Sequence, residues 1–157
     1  EEYAGLIPQE ERDNLCAAYD TRLNSGDEDV EIEAARRFMM WDVGIGAFTY
    51  PQEAVADVHR NPRDYLPISR LFYHYMINDF FVPGNRIIDN VHKLNDVPGT
   101  IIHGRYDMIC PLSEAWKLHK AWPQSEMIII PDAGHSTADP GIVDAIVETG
   151  KTIAEKG

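Results

Sequence analysis

Two residues of this 157-residue chain are of the types, and in the order, that can move a proton during catalysis. Asp107 lies in residues 99–111, which read Gly-Thr-Ile-Ile-His-Gly-Arg-Tyr-Asp-Met-Ile-Cys-Pro, and His135 lies in Asp132-Ala133-Gly134-His135-Ser136. Each follows a short apolar run, Ile101-Ile102 in one case and residues 125–130 in the other. Short β-rich runs bounded by turn-forming residues predict buried strands. In open α/β sheets, ligands bind just beyond the carboxyl ends of the strands. A histidine there serves as general base when a carboxylate holds its ring in one tautomer. Alone, a loop Asp is commonly a turn former and a loop His is commonly only exposed. On consecutive strand ends, in the order Asp then His, they predict the orienting half of a catalytic triad.

The elements that must position this pair begin after Pro83-Gly84. Residues 85–94 predict a helix with Ile87, Ile88 and Val91 on one face. Strand 99–103, helix 113–122, strand 125–130 and helix 140–153 follow. This alternation predicts a parallel sheet with helices on its faces. Ser113 is the expected N-cap of the first of those helices, with Glu114 beside it. Two parallel strands alone leave faces and edges uncovered, so the region predicts the tail of a larger sheet.

Residues 1–81 have a different character. Pro8-Gln9-Glu10-Glu11 opens a helix with Pro and acids in its first turn. Leu15, Ala18 and Tyr19 then recur at helical spacing. A second helix starts near Asp29 and carries Ile32, Ala35, Phe38 and Met39, loosening at Gly44 and Gly46. Pro51, Pro62 and Pro67 mark breaks, and residues 69–76 predict a further amphipathic helix. The aromatic stripe Phe72, Tyr75 and Phe80 predicts helix packing.

Composition bounds the function. The chain is 44% apolar, with 26 acidic and 14 basic residues and a net charge of −12. That balance argues against nucleic acid, whose phosphates need clustered Lys and Arg. Cys16 and Cys110 are too few for a disulfide framework and lack metal-ligand spacing. No apolar run approaches the roughly 20 residues of a membrane span, so no membrane partner and a cytoplasmic setting are expected. The first residue is Glu1 rather than Met, which gives the expectation that further sequence precedes it.

The α/β-hydrolase order of triad residues is Ser, then Asp or Glu, then His. No Gly-x-Ser-x-Gly elbow occurs in the chain, and none of its five serines sits between two glycines. His103-Gly104-Arg105-Tyr106-Asp107-Met108-Ile109-Cys110-Pro111, Ala115-Trp116, Leu118-His119-Lys120-Ala121-Trp122-Pro123 and Ala133-Gly134-His135-Ser136 together resemble the proline iminopeptidase (prolyl aminopeptidase) family. In that family the Asp of Gly-Arg-Tyr-Asp and the His of Gly-His-Ser complete the triad, which implies catalytic roles for Asp107 and His135. The resemblance also implies an α/β fold in which residues 1–82 are part of a helical cap domain. Residues 83–157 would be the C-terminal portion of an α/β-hydrolase core, and the earlier strands and the nucleophile would lie in a missing N-terminal half.

Two cap positions depart from the family. It tends to carry Trp-x-x-Trp-Glu where this chain has Phe38-Met39-Met40-Trp41-Asp42, and Glu where this chain has Phe72, ahead of Tyr73-His74-Tyr75. Those glutamates hold the substrate's terminal ammonium, so the resemblance implies substrate contacts at Asp42, Phe72 and Tyr75. Cys110 matches the family's Asp-x-x-Cys-Pro and is either on the pocket wall or a small buried hydrophobe.

The expected function is a serine hydrolase that releases N-terminal proline from a small peptide or amide. It needs no metal or organic cofactor, and this chain is inactive alone. A second reading keeps the triad but takes esters or amides with neutral acyl groups. A third is a non-catalytic half-domain that binds a partner through its open sheet edge.

Overall fold

The computed structural model describes residues 2–156. The chain divides into two compact units, Glu1–Gly44 with Pro51–Pro83, and Ile45–Tyr50 with Gly84–Gly157. It is a helix-rich α/β chain, and among the described residues its sheet has two strands.

The first unit contains α1 (Glu2–Gly5), α2 (Leu15–Leu23), most of α3 (Glu28–Gly46), α4 (Gln52–Arg60) and α5 (Leu66–Ile77). The helix expected from Pro8 is a 3₁₀ turn over Gln9–Asn14, and α2 starts afresh behind it. The cause is Asn14, whose side-chain oxygen accepts the Ala17 N–H at 3.0 Å and so caps a new helix. Asp27 does the same for α3, accepting the Asp29 and Val30 N–H groups, with Glu28, Asp29 and Glu31 in the favourable first turn. Between the breaks at Pro51 and Pro62 lies α4, which the pattern of prolines had hidden; it buries Val55 and Val58.

Aromatic rings dominate the core of this unit. Tyr3 stacks on Tyr19 at 4.5 Å and Tyr19 on Tyr73 at 5.3 Å, while Phe38 meets Tyr73 edge-on at 5.0 Å. Ile7, Leu23, Ala34 and Ala35 close around them. The phenols are satisfied: Tyr3 and Tyr73 share a 2.6 Å hydrogen bond, and Tyr19 Oη donates to the Tyr3 carbonyl at 2.7 Å. Burial pushes the ionisation of all three phenols up, so they stay neutral donors.

The second unit contains α6 (Arg86–Asp89), β1 (Gly99–Gly104), α7 (Leu112–Ala121), β2 (Ser125–Ile130) and α8 (Pro140–Lys156). The strands are parallel and in register from Gly99 opposite Ser125 to Gly104 opposite Ile130. The helix expected over 85–94 is two short pieces, α6 and a 3₁₀ turn over Val91–Leu94. Asn90 divides them by turning its side-chain N–H back onto the Arg86 carbonyl. Ser113 is not the N-cap of α7. Pro111 occupies that place without a side-chain cap, so Ser113 lies inside the first turn. Trp122 ties the start of β1 down: its indole N–H lies 3.0 Å from the Leu94 carbonyl and 2.9 Å from that of Val97. Its ring fills the space where a Cβ on Gly99 would stand. No helix among the described residues is long and apolar enough to cross a membrane.

Candidate active site

Asp107 follows β1 and His135 follows β2, and because the strands are parallel neighbours the two loops leave the same sheet end. His135 Nδ1 lies 2.9 Å from Asp107 Oδ2. The other carboxylate oxygen accepts the Ile109 N–H at 2.9 Å and the Cys110 N–H at 2.7 Å. His103 Nε2 stands 3.6 Å from Oδ2. The Asp107 side chain is only 5% exposed, and burial alone would raise its pKa. The Cys110 amide, the His135 ring and the Ile109 amide outweigh burial and hold the carboxyl below the usual range. An ionised carboxylate only accepts hydrogen bonds. Nδ1 of His135 is therefore the donor in this bond, and the neutral form of the ring has its lone pair on Nε2. The His135 side chain is 43% exposed, so that lone pair is accessible.

The loops are tied together by their backbones. Arg105 N–H donates to Ile130 O and Tyr106 N–H to Ala133 O, each at 2.9 Å. Gly104 and Gly134 touch, and a Cβ on Gly104 would lie 2.0 Å from the Gly134 carbonyl oxygen. Neither glycine is replaceable without moving a loop.

No family model matches the chain. Curated relatives do. A proline iminopeptidase of Xanthomonas citri is 39% identical over 148 residues, covering 94% of this chain and 47% of that protein. A proline iminopeptidase of Arabidopsis thaliana is 40% identical over 149 residues, covering 94% and 39%. The chain is a relative of the proline iminopeptidases. It spans about half the length of the curated relatives it matches. The similarity therefore runs through both units, and the segments that first suggested proline iminopeptidase fall inside it.

The residues expected at the proline iminopeptidase site fall into two groups. Asp107, Cys110 and His135 are brought together in the second unit. Asp42, Phe72 and Tyr75 belong to the first unit. Asp42 is on α3 and half-buried. Phe72, on α5, is also half-buried and packs against the aromatic core, 4.9 Å from Phe38. Tyr75 is exposed and meets Phe80 and Phe81. Those two rings sit on a turn whose residues Asp79, Phe80 and Phe81 have φ of 47°, 51° and 56°. Three successive non-glycine residues in the left-handed region are strained, and such strain persists only where the surroundings enforce it. The stripe expected to be helix packing thus splits: Phe72 packs, while Tyr75 and Phe80 stay exposed.

Cys110 is exposed, which rules out the buried-hydrophobe reading. Partial cover of its sulfur and the nearby Asp107 charge push its thiol pKa up. Asp107, Cys110 and His135 offer ligand atoms within 4.8 Å of one another, a donor set known from zinc sites. Here, however, the Asp107 oxygens already serve three N–H donors, and the thiol resists ionisation. A cation would have to break those bonds, so the group fits a hydrogen-bonded pair better than a metal centre.

Sequence reasoning missed two participants. Gly46 O accepts the His135 N–H at 2.7 Å and the Ser136 N–H at 2.9 Å. Asp139 is 8% exposed and accepts the Gly134 N–H at 2.7 Å. Asp139-Pro140 carries a helix-start signal that could have singled out the aspartate. Nothing local to Gly46 announces its role. A cavity of about 640 Å³, lined in part by Gly99, Thr100, Ala145 and Thr149, opens at the other end of the strands and does not reach the pair.

Proposed function

We propose that this chain supplies the acid–base half of a serine hydrolase of the proline iminopeptidase type, which releases N-terminal proline from small peptides or amides. The observation that carries the reading is the 2.9 Å Asp107–His135 bond at adjacent parallel strand ends, with Nε2 of His135 left open. The names of the relatives support the substrate class.

In this reading, residues 83–157 are the C-terminal part of an α/β-hydrolase core and residues 1–82 part of its helical cap. The nucleophilic Ser and the oxyanion donors come from a half outside these 157 residues. His135 Nε2 takes the Ser hydroxyl proton as Oγ attacks the prolyl carbonyl carbon. Asp107 stabilises the imidazolium that forms. His135 then gives the proton to the leaving amine as the C–N bond breaks, and a water repeats the sequence to free the proline. The chemistry needs no cofactor. The free thiols of Cys16 and Cys110 suit a cytoplasmic setting.

One observation favours a second reading, hydrolysis of esters or amides with neutral acyl groups. Phe72 stands where the family places a carboxylate, and it is packed among rings. The test compares a prolyl amide with its N-acetylated form in the enzyme completed by its nucleophile-bearing half. A preference for the free amine supports proline release; equal or better use of the acetylated form supports the neutral-acyl reading. The 157-residue chain alone is expected to turn over neither. Turnover by it that survives His135→Ala would overturn the assignment.

A further inference from the structure

We propose that Asp139 is a positioning residue for His135, acting through the backbone of the loop rather than through the ring. The inference rests on the reading of His135 as the general base. Its observations are independent of that reading.

Among the described residues, the side chain of His135 is held by its bond to Asp107. Its backbone is instead caught between two fixed partners. On one side the Gly46 carbonyl receives both the His135 and the Ser136 N–H groups. Gly46 is the last residue of α3, so its carbonyl has no helical partner and is free to accept them. On the other side Asp139, just before α8, turns its carboxylate into the loop. One oxygen, Oδ2, lies 2.7 Å from Gly134 N and 3.4 Å from Phe48 N. Asp139 therefore joins the two strips of backbone, 46–48 and 134–136, that also bond each other directly. Gly134 must be glycine for this to happen. A Cβ there would stand 2.7 Å from the Gly46 carbonyl oxygen and 3.1 Å from Phe48 N.

The chemistry of the acceptor matters. A buried carboxylate that receives backbone N–H groups makes charge-assisted bonds, stronger than neutral ones. Both contacts, the short one from Gly134 and the longer one from Phe48, go to the same oxygen, so an asparagine can place its carbonyl oxygen there and keep them in weaker form. Alanine leaves the Gly134 N–H without its buried acceptor. Serine is too short to reach it. Once the loop is released, the ring loses the direction that presents Nδ1 to Asp107, and misplacement by about 1 Å costs on the order of 100-fold in rate.

The test uses the complete enzyme and the variants Asp139→Ala, Asp139→Ser, Asp139→Asn and His135→Ala. The expected result for Asp139→Ala is a fall in kcat of about 100-fold with little change in KM. In parallel, the downfield Nδ1 proton signal of His135 in NMR spectra weakens or disappears. Asp139→Asn stays within about tenfold of the parent and keeps the signal, because it keeps the acceptor. If Asp139→Ala fails to fold, Asp139→Ser beside Asp139→Asn carries the same contrast. Asp139→Ala or Asp139→Ser with parental kcat and an unchanged Nδ1 signal overturns the proposal. So does a loss in Asp139→Asn as large as in the alanine variant. His135→Ala separates the two levels of the argument. If it is inactive while Asp139→Ala is not, the positioning role fails and the general-base reading stands. If it keeps activity, the general-base reading itself fails.

Discussion

The two units are held together by different kinds of interaction. In the first, apolar burial dominates: Ile7, Tyr19, Leu23, Phe38 and Tyr73 are almost wholly inside, and the phenols of Tyr19 and Tyr73 are both paired with Tyr3. In the second, the buried apolar residues among those described are Val91, Ala133 and Ile142, while Ile129, Val143, Ile146, Val147 and Ile153 are exposed. Precision in that unit comes from hydrogen bonds and close glycine contacts around Asp107 and His135. The difference teaches where each unit is vulnerable. A packed aromatic core loses stability when volume is removed. A polar, backbone-held site loses geometry when a single donor or acceptor is removed, with little change in overall stability.

The largest expected effects follow from the second kind of vulnerability. On the proposed reading His135→Ala removes the general base of the complete enzyme, and triad knockouts of this type cost roughly 10⁶-fold in kcat. Asp107→Asn keeps the shape but favours the wrong tautomer of His135, which costs roughly 10⁴-fold, or about 5.4 kcal/mol in the barrier. Thermal melts of both variants should stay close to that of the parent. If Asp107→Asn unfolds the enzyme instead, Asp107 is a structural anchor and the contrast between the units breaks down.

The first unit offers the converse. Tyr73→Ala should destabilise it by about 3–5 kcal/mol, the usual cost of deleting a buried ring. Ile146→Ala on exposed α8 should change the stability of this chain by no more than about 0.5 kcal/mol. Chemical denaturation of the two variants measures both. An Ile146→Ala loss comparable to that of Tyr73→Ala would mean that the exposed face of α8 is covered in solution. Within the core, Tyr19→Phe isolates the hydrogen bond to the Tyr3 carbonyl and should cost about 1 kcal/mol.

Legibility in the sequence follows the same division. Both strands, their parallel order and the Asp–His pair were readable, because short β-branched runs between turn residues and a motif beyond each are local signals. So was the long α3, with its acidic start and glycine end. The 3₁₀ turn before α2, the break at Asn90 and the loss of Ser113 as a cap were not. Each depends on which of several competing side-chain and backbone hydrogen bonds wins, and local composition does not decide that. Least legible were Gly46 and Asp139. Phe48 N and Asp139 Oδ2 are 91 residues apart in sequence, and no periodicity carries a contact of that separation. Of the expected site residues, the chain brings Asp107, Cys110 and His135 together, whereas Asp42, Phe72 and Tyr75 rest on the family resemblance.

The smallest expected effect tests whether surface charge adds to the apolar stability of the first unit. Glu33 on α3 receives Arg36 through two N–H groups and Arg37 through one, each at 2.7 Å. The arginines lie three and four residues towards the C-terminus, the favourable direction on a helix. The Arg36 bonds, aided by Arg37, outweigh desolvation and hold the Glu33 carboxyl down to about 2. A depressed folded-state pKa means that the unfolded chain binds the extra proton first. The stabilisation is therefore fully present above the ordinary value of 4.5 and is lost as the pH falls towards about 2. The Glu33 side chain is 37% exposed, so solvent screening limits the contribution to about 0.5 kcal/mol. Glu33→Gln should lower the stability of the unit by that amount at pH 7, and the gap from the parent should close by pH 2. Raising the salt concentration at pH 7 should narrow the gap in the same way. Denaturation curves of the two proteins between pH 2 and pH 7 measure it. A gap of equal size at both ends of that range would mean that Glu33 contributes through its packed stem, and that the first unit is apolar in its stability out to its surface.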